Sequence, residues 1–186
     1  MKNLFIAIAL IITSVTNAQE FAGVKIDGDL PSFTNALKSK GYTFKRTVDN
    51  GCIMTGKIGF KEVDVFIFTT PKSKKVFKLT IYFQEKTSWS SLKSEYLELA
   101  ATLTEKYGEP SSSYDSFDKP YYEGDGYEMS AVQLDKCNYS TYWMNKSNLT
   151  LAIEISKYKQ VKLVYENDKN MDLKEQEIKN MQNSVL

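Results

Sequence analysis

The residues with the most chemistry to offer lie together, from Ser111 through Tyr114, Asp115, Phe117, Asp118, Tyr121, Tyr122, Glu123 and Gly124-Asp125-Gly126 to Tyr127. Tyr and Phe present broad amphipathic contact surface at small entropic cost, and carboxylates present fixed hydrogen-bond acceptors. Tyr114, Phe117, Tyr121, Tyr122, Asp125 and Tyr127 are therefore the candidate ligand-binding residues, for a glycan stacked on the rings or for a protein surface. The same residue types also pin loops to their neighbours, with Gly124-Asp125-Gly126 serving as a tight turn. Asp115, Asp118, Glu123 and Asp125 supply hard oxygens suited to calcium, but their spacing departs from the alternating ligands of an EF-hand loop. Two of these carboxylates would also serve glycoside hydrolysis, at a separation that the sequence does not fix.

Other reactive groups are few. The chain has no histidine, which removes the usual base for a Ser or Cys nucleophile, the usual zinc ligand and the usual proton shuttle. Cys52 and Cys137 are the only thiols, and neither has a clear cationic setting that would make it a nucleophile. In an exported protein they form either one disulfide, worth roughly 4 kcal/mol across so long a loop, or two buried apolar thiols. A net charge of +1 argues against a nucleic-acid partner, and Arg46 as the lone arginine weakens the case for an anionic substrate. No cofactor is implied. The balance favours a non-catalytic binding or interaction module over an enzyme, with a carboxylate-based hydrolase of cell-wall or polysaccharide material as the alternative.

The address is written at the start. Met1-Lys2-Asn3 is a short cationic opening, Leu4 to Val15 is mostly apolar, and Thr16-Asn17-Ala18 precedes Gln19. That order reads as a cleaved signal peptide over residues 1–18, too short and wrongly flanked to span a bilayer. No Cys marks a lipid-attachment point. The mature chain is expected to be periplasmic or secreted, without a transmembrane anchor, and to meet an envelope or extracellular protein, or a glycan.

Two helices and eight strands must position these groups. Asp29-Leu30-Pro31 starts one helix, with Phe33, Ala36 and Leu37 on one face and Gly41 ending it. Ser88 to Ser90 cap a second, whose stripe is Leu92, Tyr96, Leu99 and Leu103 and whose stop is Gly108 and Pro110. Period-two patterning predicts strands at 42–48, 53–58, 63–68 and 77–83, then at 127–134, 139–144, 149–155 and 161–165. Val63, Val65 and Ile67 alternate with Asp64, Phe66 and Phe68, so both faces of that strand are partly covered.

The two halves echo each other. Val63-x-Val65-x-Ile67, a Lys-rich turn and Phe77-x-Leu79-x-Ile81 match Leu149-x-Leu151-x-Ile153, a Lys-containing turn and Val161-x-Leu163-x-Tyr165. The expected fold is α+β, with two similar helix-plus-antiparallel-sheet units at 19–86 and 87–167 in tandem and the helices packed on one face. A single continuous meander is the alternative. Residues 168–186 read as a polar terminal helix or tail with a thin stripe of Leu173, Ile178 and Met181.

Helix then meander, twice over in an exported chain, resembles the beta-lactamase-inhibitor-protein-like group. It is also similar to the small outer-membrane assembly proteins of the SmpA/OmlA type. The Asn17-Ala18-Gln19 junction, the Lys-over-Arg bias and Gly124-Asp125-Gly126-Tyr127-Glu128 resemble secreted proteins of Bacteroidetes-type bacteria. The resemblance implies the tandem architecture over roughly Val24 to Tyr165. It brings no binding motif.

Overall fold

A computed structural model describes residues 20–144 and 148–184, so the signal peptide expected at 1–18 lies outside the described residues. In chain order the elements are β1 (Glu20–Phe21), β2 (Val24–Lys25), α1 (Leu30–Lys38), β3 (Thr43–Val48), β4 (Gly51–Ile58), β5 (Lys61–Thr69) and β6 (Val76–Phe83). There follow α2 (Trp89–Tyr107), β7 (Ser112–Phe117), α3 (Glu128–Gln133), β8 (Cys137–Trp143), β9 (Leu149–Ser156), β10 (Gln160–Asn167) and α4 (Asp168–Asn183). The fold is α+β, with one large antiparallel sheet and a two-stranded ribbon of β1 and β2. Among the described residues no helix is long and apolar enough to cross a membrane.

Both expected helices form for local reasons. The Asp29 carboxylate accepts the Ser32 N–H at 2.9 Å at the head of α1, and Pro31 occupies the first turn where no intrahelical donor is needed. Phe33 and Leu37 then face inward. Ser88 caps α2 through the Ser91 N–H, and Leu92, Tyr96 and Leu103 form its buried face. Gly108, at φ +80°, ends it in a conformation that L side chains resist.

The large sheet runs β3-β4-β5-β6-β10-β9-β8-β7. Two four-stranded meanders therefore meet at β6 and β10, where Ile81 lies opposite Leu163 and Leu79 opposite Tyr165. Val65, Ile67, Leu79, Ile81, Leu151, Ile153 and Leu163 all lie in one core with Leu37, Leu92, Leu103 and Val132. Each such side chain stabilises the fold by about 1.5–3 kcal/mol on burial. That core lies under α1, α2 and α3, so these three helices share one face of the sheet.

Two expectations are corrected. Residues 127–134, expected as a strand, contain α3: Glu128, Met129 and Ala131 favour helix, and one turn delivers Ala131 and Val132 to the core together. Residues 111–126, where the period-two patterning predicts no strand, contain β7, which pairs with β8 from Ser112–Tyr142 to Phe117–Cys137. Ser-Ser-Tyr-Asp-Ser-Phe has little strand propensity of its own. The open edge of β8 supplies the pairing that its composition does not.

The terminal segment is a helix held by polar groups rather than by the expected stripe. Ile178 and Met181 are exposed, while Asn170 and Glu177 are buried. Asn170 Nδ2 donates to Asp27 Oδ1 at 2.9 Å and to the Val76 carbonyl at 2.8 Å. The Glu177 carboxylate accepts the N–H groups of Lys72, at 2.6 Å, and Ser73, at 3.0 Å. These bonds fasten α4 to the β5–β6 turn, at one end of the sheet's second face.

Candidate functional site

That second face is left open beyond α4. Side chains alternate across a strand, so the partners of the core residues define its rows. Ile53, Phe66, Thr80, Val164, Ala152 and Tyr142 form one row, and Thr55, Asp64, Tyr82, Lys162, Glu154 and Ser140 the next. Thr80, Val164 and Ala152 make a low floor. Phe66 and Tyr82, in edge contact at 5.3 Å, rise on one side. Tyr142 and Tyr114, in edge contact at 6.3 Å, rise on the other. Two ion pairs cross the centre, Lys78–Glu166 at 2.7 Å and Lys162–Glu154. Met171 and Lys174 of α4 close one end, leaving a trough of about 530 Å³.

Lys78 and Lys162 are each paired with a glutamate, Lys174 lies over the Phe77 ring at 5.3 Å, and the Phe66, Tyr82 and Tyr142 rings are half-buried. Burial raises the Tyr82 hydroxyl above its ordinary pKa. Phe66 and Tyr82 were missed as site residues, and only Phe66 had a signal in the sequence: Phe66 and Phe68 are apolar on the face opposite Val63, Val65 and Ile67, which a strand with one solvated face does not require.

The six loop candidates do not form one patch. Tyr114 belongs to the open face, where it is half exposed. Phe117 turns to the helix side, with its ring 5.2 Å from Trp89 and 5.8 Å from Tyr139. Tyr121 is partly buried, while Tyr122 and Tyr127 project from the turn. Glu123 places that turn on the helix side as well: its carboxylate accepts from Lys93, from Tyr139 Oη at 3.0 Å and from Trp89 Nε1 at 3.4 Å. The hydrogen bond from Lys93 holds Glu123 below the ordinary carboxylate range.

Two further carboxylates of the segment are engaged close by. Asp125 accepts the N–H groups of Tyr122 at 3.1 Å and Tyr127 at 2.7 Å, and Asp118 pairs with Lys136 at 3.3 Å. Asp125 is thus a turn-former in this fold. Among the described residues no three His, Cys, Asp or Glu side chains cluster as metal ligands. Trp143 is a packing residue, wholly buried, with Nε1 donating to the Gly108 carbonyl at 2.8 Å.

The disulfide alternative is corrected. Cys52 and Cys137 are free thiols on β4 and β8. β5, β6, β10 and β9 lie between those strands, a span of roughly 24 Å at ordinary strand spacing. A disulfide needs Cα atoms within about 7 Å. Burial pushes the Cys137 thiol up to about 12 and raises that of Cys52, so both are poor nucleophiles.

One buried acid was not anticipated. Glu95 of α2 is 5% exposed and meets Lys86 at 3.1 Å and Lys61 at 3.4 Å, while its Oε2 has no hydrogen-bond partner among the described residues. The two lysines fasten α2 over the ends of β5 and β6. Comparison with known proteins returns no matching family model, no matching curated protein and no matching solved structure.

Proposed function

We propose that the chain is an exported, non-catalytic binding module whose open sheet face docks a protein surface. One observation carries the reading: among the described residues the second face of an eight-stranded sheet is covered by α4 at one end only, and it displays paired aromatics around a small-residue floor. Aromatic anchors that exclude water and polar pairs that fix register are the usual basis of such recognition. A sheet of this width, roughly 35 Å from edge to edge at ordinary spacing, offers more surface than one glycan chain covers. The hydrolase alternative calls for two carboxylates facing a substrate, whereas three of its four candidates, Asp118, Glu123 and Asp125, are each bound within or beside their own turn, leaving Asp115 alone.

We also read the two meanders as related units, each a helix followed by four strands, joined across β6 and β10. The symmetric strand order and the echoed core residues support this reading. On it, the open face spans both units.

The test is capture of envelope proteins by the mature chain, with a glycan array in parallel. Replacement of Tyr82 and Tyr142 by Ala is expected to abolish binding, and replacement of Tyr121 and Tyr122 to leave it intact. The reverse pattern moves the site to the turn. Glycan binding that depends on Tyr82 and Tyr142 keeps the face and replaces the partner class.

A further inference from the structure

The two edges of the large sheet are not alike. β3 carries a bulge between Phe44 and Arg46, and it presents Lys45 and Arg46. Bulges and cations are the ordinary devices that stop an edge strand from pairing with another chain. β7 has neither a cation nor a register shift across its six residues, four of which are exposed in an unbroken run from Ser113 to Ser116. Its backbone therefore offers an unguarded pairing edge.

Which groups are on offer follows from the ladder. The Asp118 N–H donates to the Lys136 carbonyl at 2.9 Å, in the register that pairs Ser116 with Asn138 and Tyr114 with Ser140. Antiparallel pairs alternate between bonded and non-bonded, so Ser112, Tyr114 and Ser116 bond to β8. Ser113, Asp115 and Phe117 direct their N–H and C=O groups outward.

We propose that β7 pairs antiparallel with β7 of a second copy of this chain, about a twofold axis at Tyr114. The twofold keeps like faces together, so each residue meets one of the same parity. A centre at Asp115 sets two carboxylates face to face. A centre at Tyr114 avoids this: it pairs Ser113 with the partner subunit's Asp115, twice, through outward backbone groups on both strands. The two Tyr114 side chains then meet on the open face as a non-hydrogen-bonded pair, with Cα atoms about 4.5 Å apart. Two eight-stranded sheets become one, and their open faces continue across the junction. The proposal does not depend on what the open face binds. One strand pair is a small interface, so the dimer is weak and dissociates on dilution.

Sedimentation of the mature protein over a concentration series tests this. The wild type is expected to dimerise reversibly, and Asp115→Pro to stay monomeric with an unchanged circular dichroism spectrum. Proline at this position removes only an outward donor, and it leaves the bonds to β8 in place. Should Asp115→Pro fail to fold, Asp115→Lys serves instead by placing a cation on the edge. Oxidised Tyr114→Cys is expected to form a covalent dimer, because that Cα spacing suits a disulfide, and Ser116→Cys is not. A wild type that stays monomeric at every concentration, a proline variant that still dimerises, or equal crosslinking of both Cys variants would each overturn the proposal.

Discussion

At the scale of single residues, most polar side chains of the aromatic segment hold their own chain in place. Glu123 gathers Lys93, Trp89 and Tyr139, and Asp125 closes the turn on Tyr122 and Tyr127. Glu123→Ala is expected to loosen this turn, seen as faster amide exchange over 118–127, with the open face unchanged. The thiols give a second prediction. With Cys52 buried, Cys137 partly buried and both thiols raised above their ordinary pKa, native protein should react slowly with a thiol reagent at neutral pH and react at two sites after unfolding. Rapid labelling of the native state would contradict the buried placement. The sequence listed these residue types correctly but could not say which way each points. Tyr114 and Phe117 lie three apart in one strand and therefore occupy opposite faces.

At the scale of elements, close approach and capping decide what is tolerated. A Cβ on Gly51 would lie 1.9 Å from the Ile67 carbonyl oxygen, whereas one on Gly56 would meet the Tyr42 ring at 2.3 Å. A ring can move and a paired strand cannot. Gly51→Ala should therefore cost more stability than Gly56→Ala, which should lie near the 1–3 kcal/mol of ordinary overpacking; urea unfolding measures both. The anchor of α4 is testable by pH. Hydrogen bonds from Ser73 and Lys72 hold Glu177 below the ordinary glutamate value of 4.5. A depressed folded-state pKa contributes stability that is complete above the unfolded value and is lost as pH falls through the folded one. The Tm difference between wild type and Glu177→Gln should thus shrink on acidification below pH 4.5. A constant difference would show that the carboxylate charge is not what holds α4. The elements legible beforehand were those with strong local signals, such as the capped α1 and α2 and the alternating β6. β7 and α3 were not, because neighbours rather than local sequence decide them.

At the scale of the whole molecule, one face of the sheet forms the core and the other lies open beyond α4. Three helices cover the first, and α4 reaches only one end of the second. The α+β class and the antiparallel pairing were readable from period-two patterning, whereas the meeting of β6 and β10 at the sheet centre was not. The open face was half-readable: Phe66 and Phe68 stood where polar residues suffice, but cross-strand register alone brings Tyr82 and Tyr142 around the same floor. Folding is expected to depend on the core side throughout. Trp143→Ala should cost about 3–5 kcal/mol, measured by denaturant unfolding, because it empties a fully buried indole site and leaves the Gly108 carbonyl without its donor. Truncation of Tyr82 or Tyr142, both half-buried, should cost much less.

The most direct measurement of the central claim is hydroxyl-radical footprinting of the mature protein, with and without envelope extract. Protection of Tyr82, Tyr142 and Tyr114, with Tyr122 and Tyr127 still reactive, is the predicted result. Protection confined to Tyr122 and Tyr127 would contradict the open face as the docking surface and return the site to the turn.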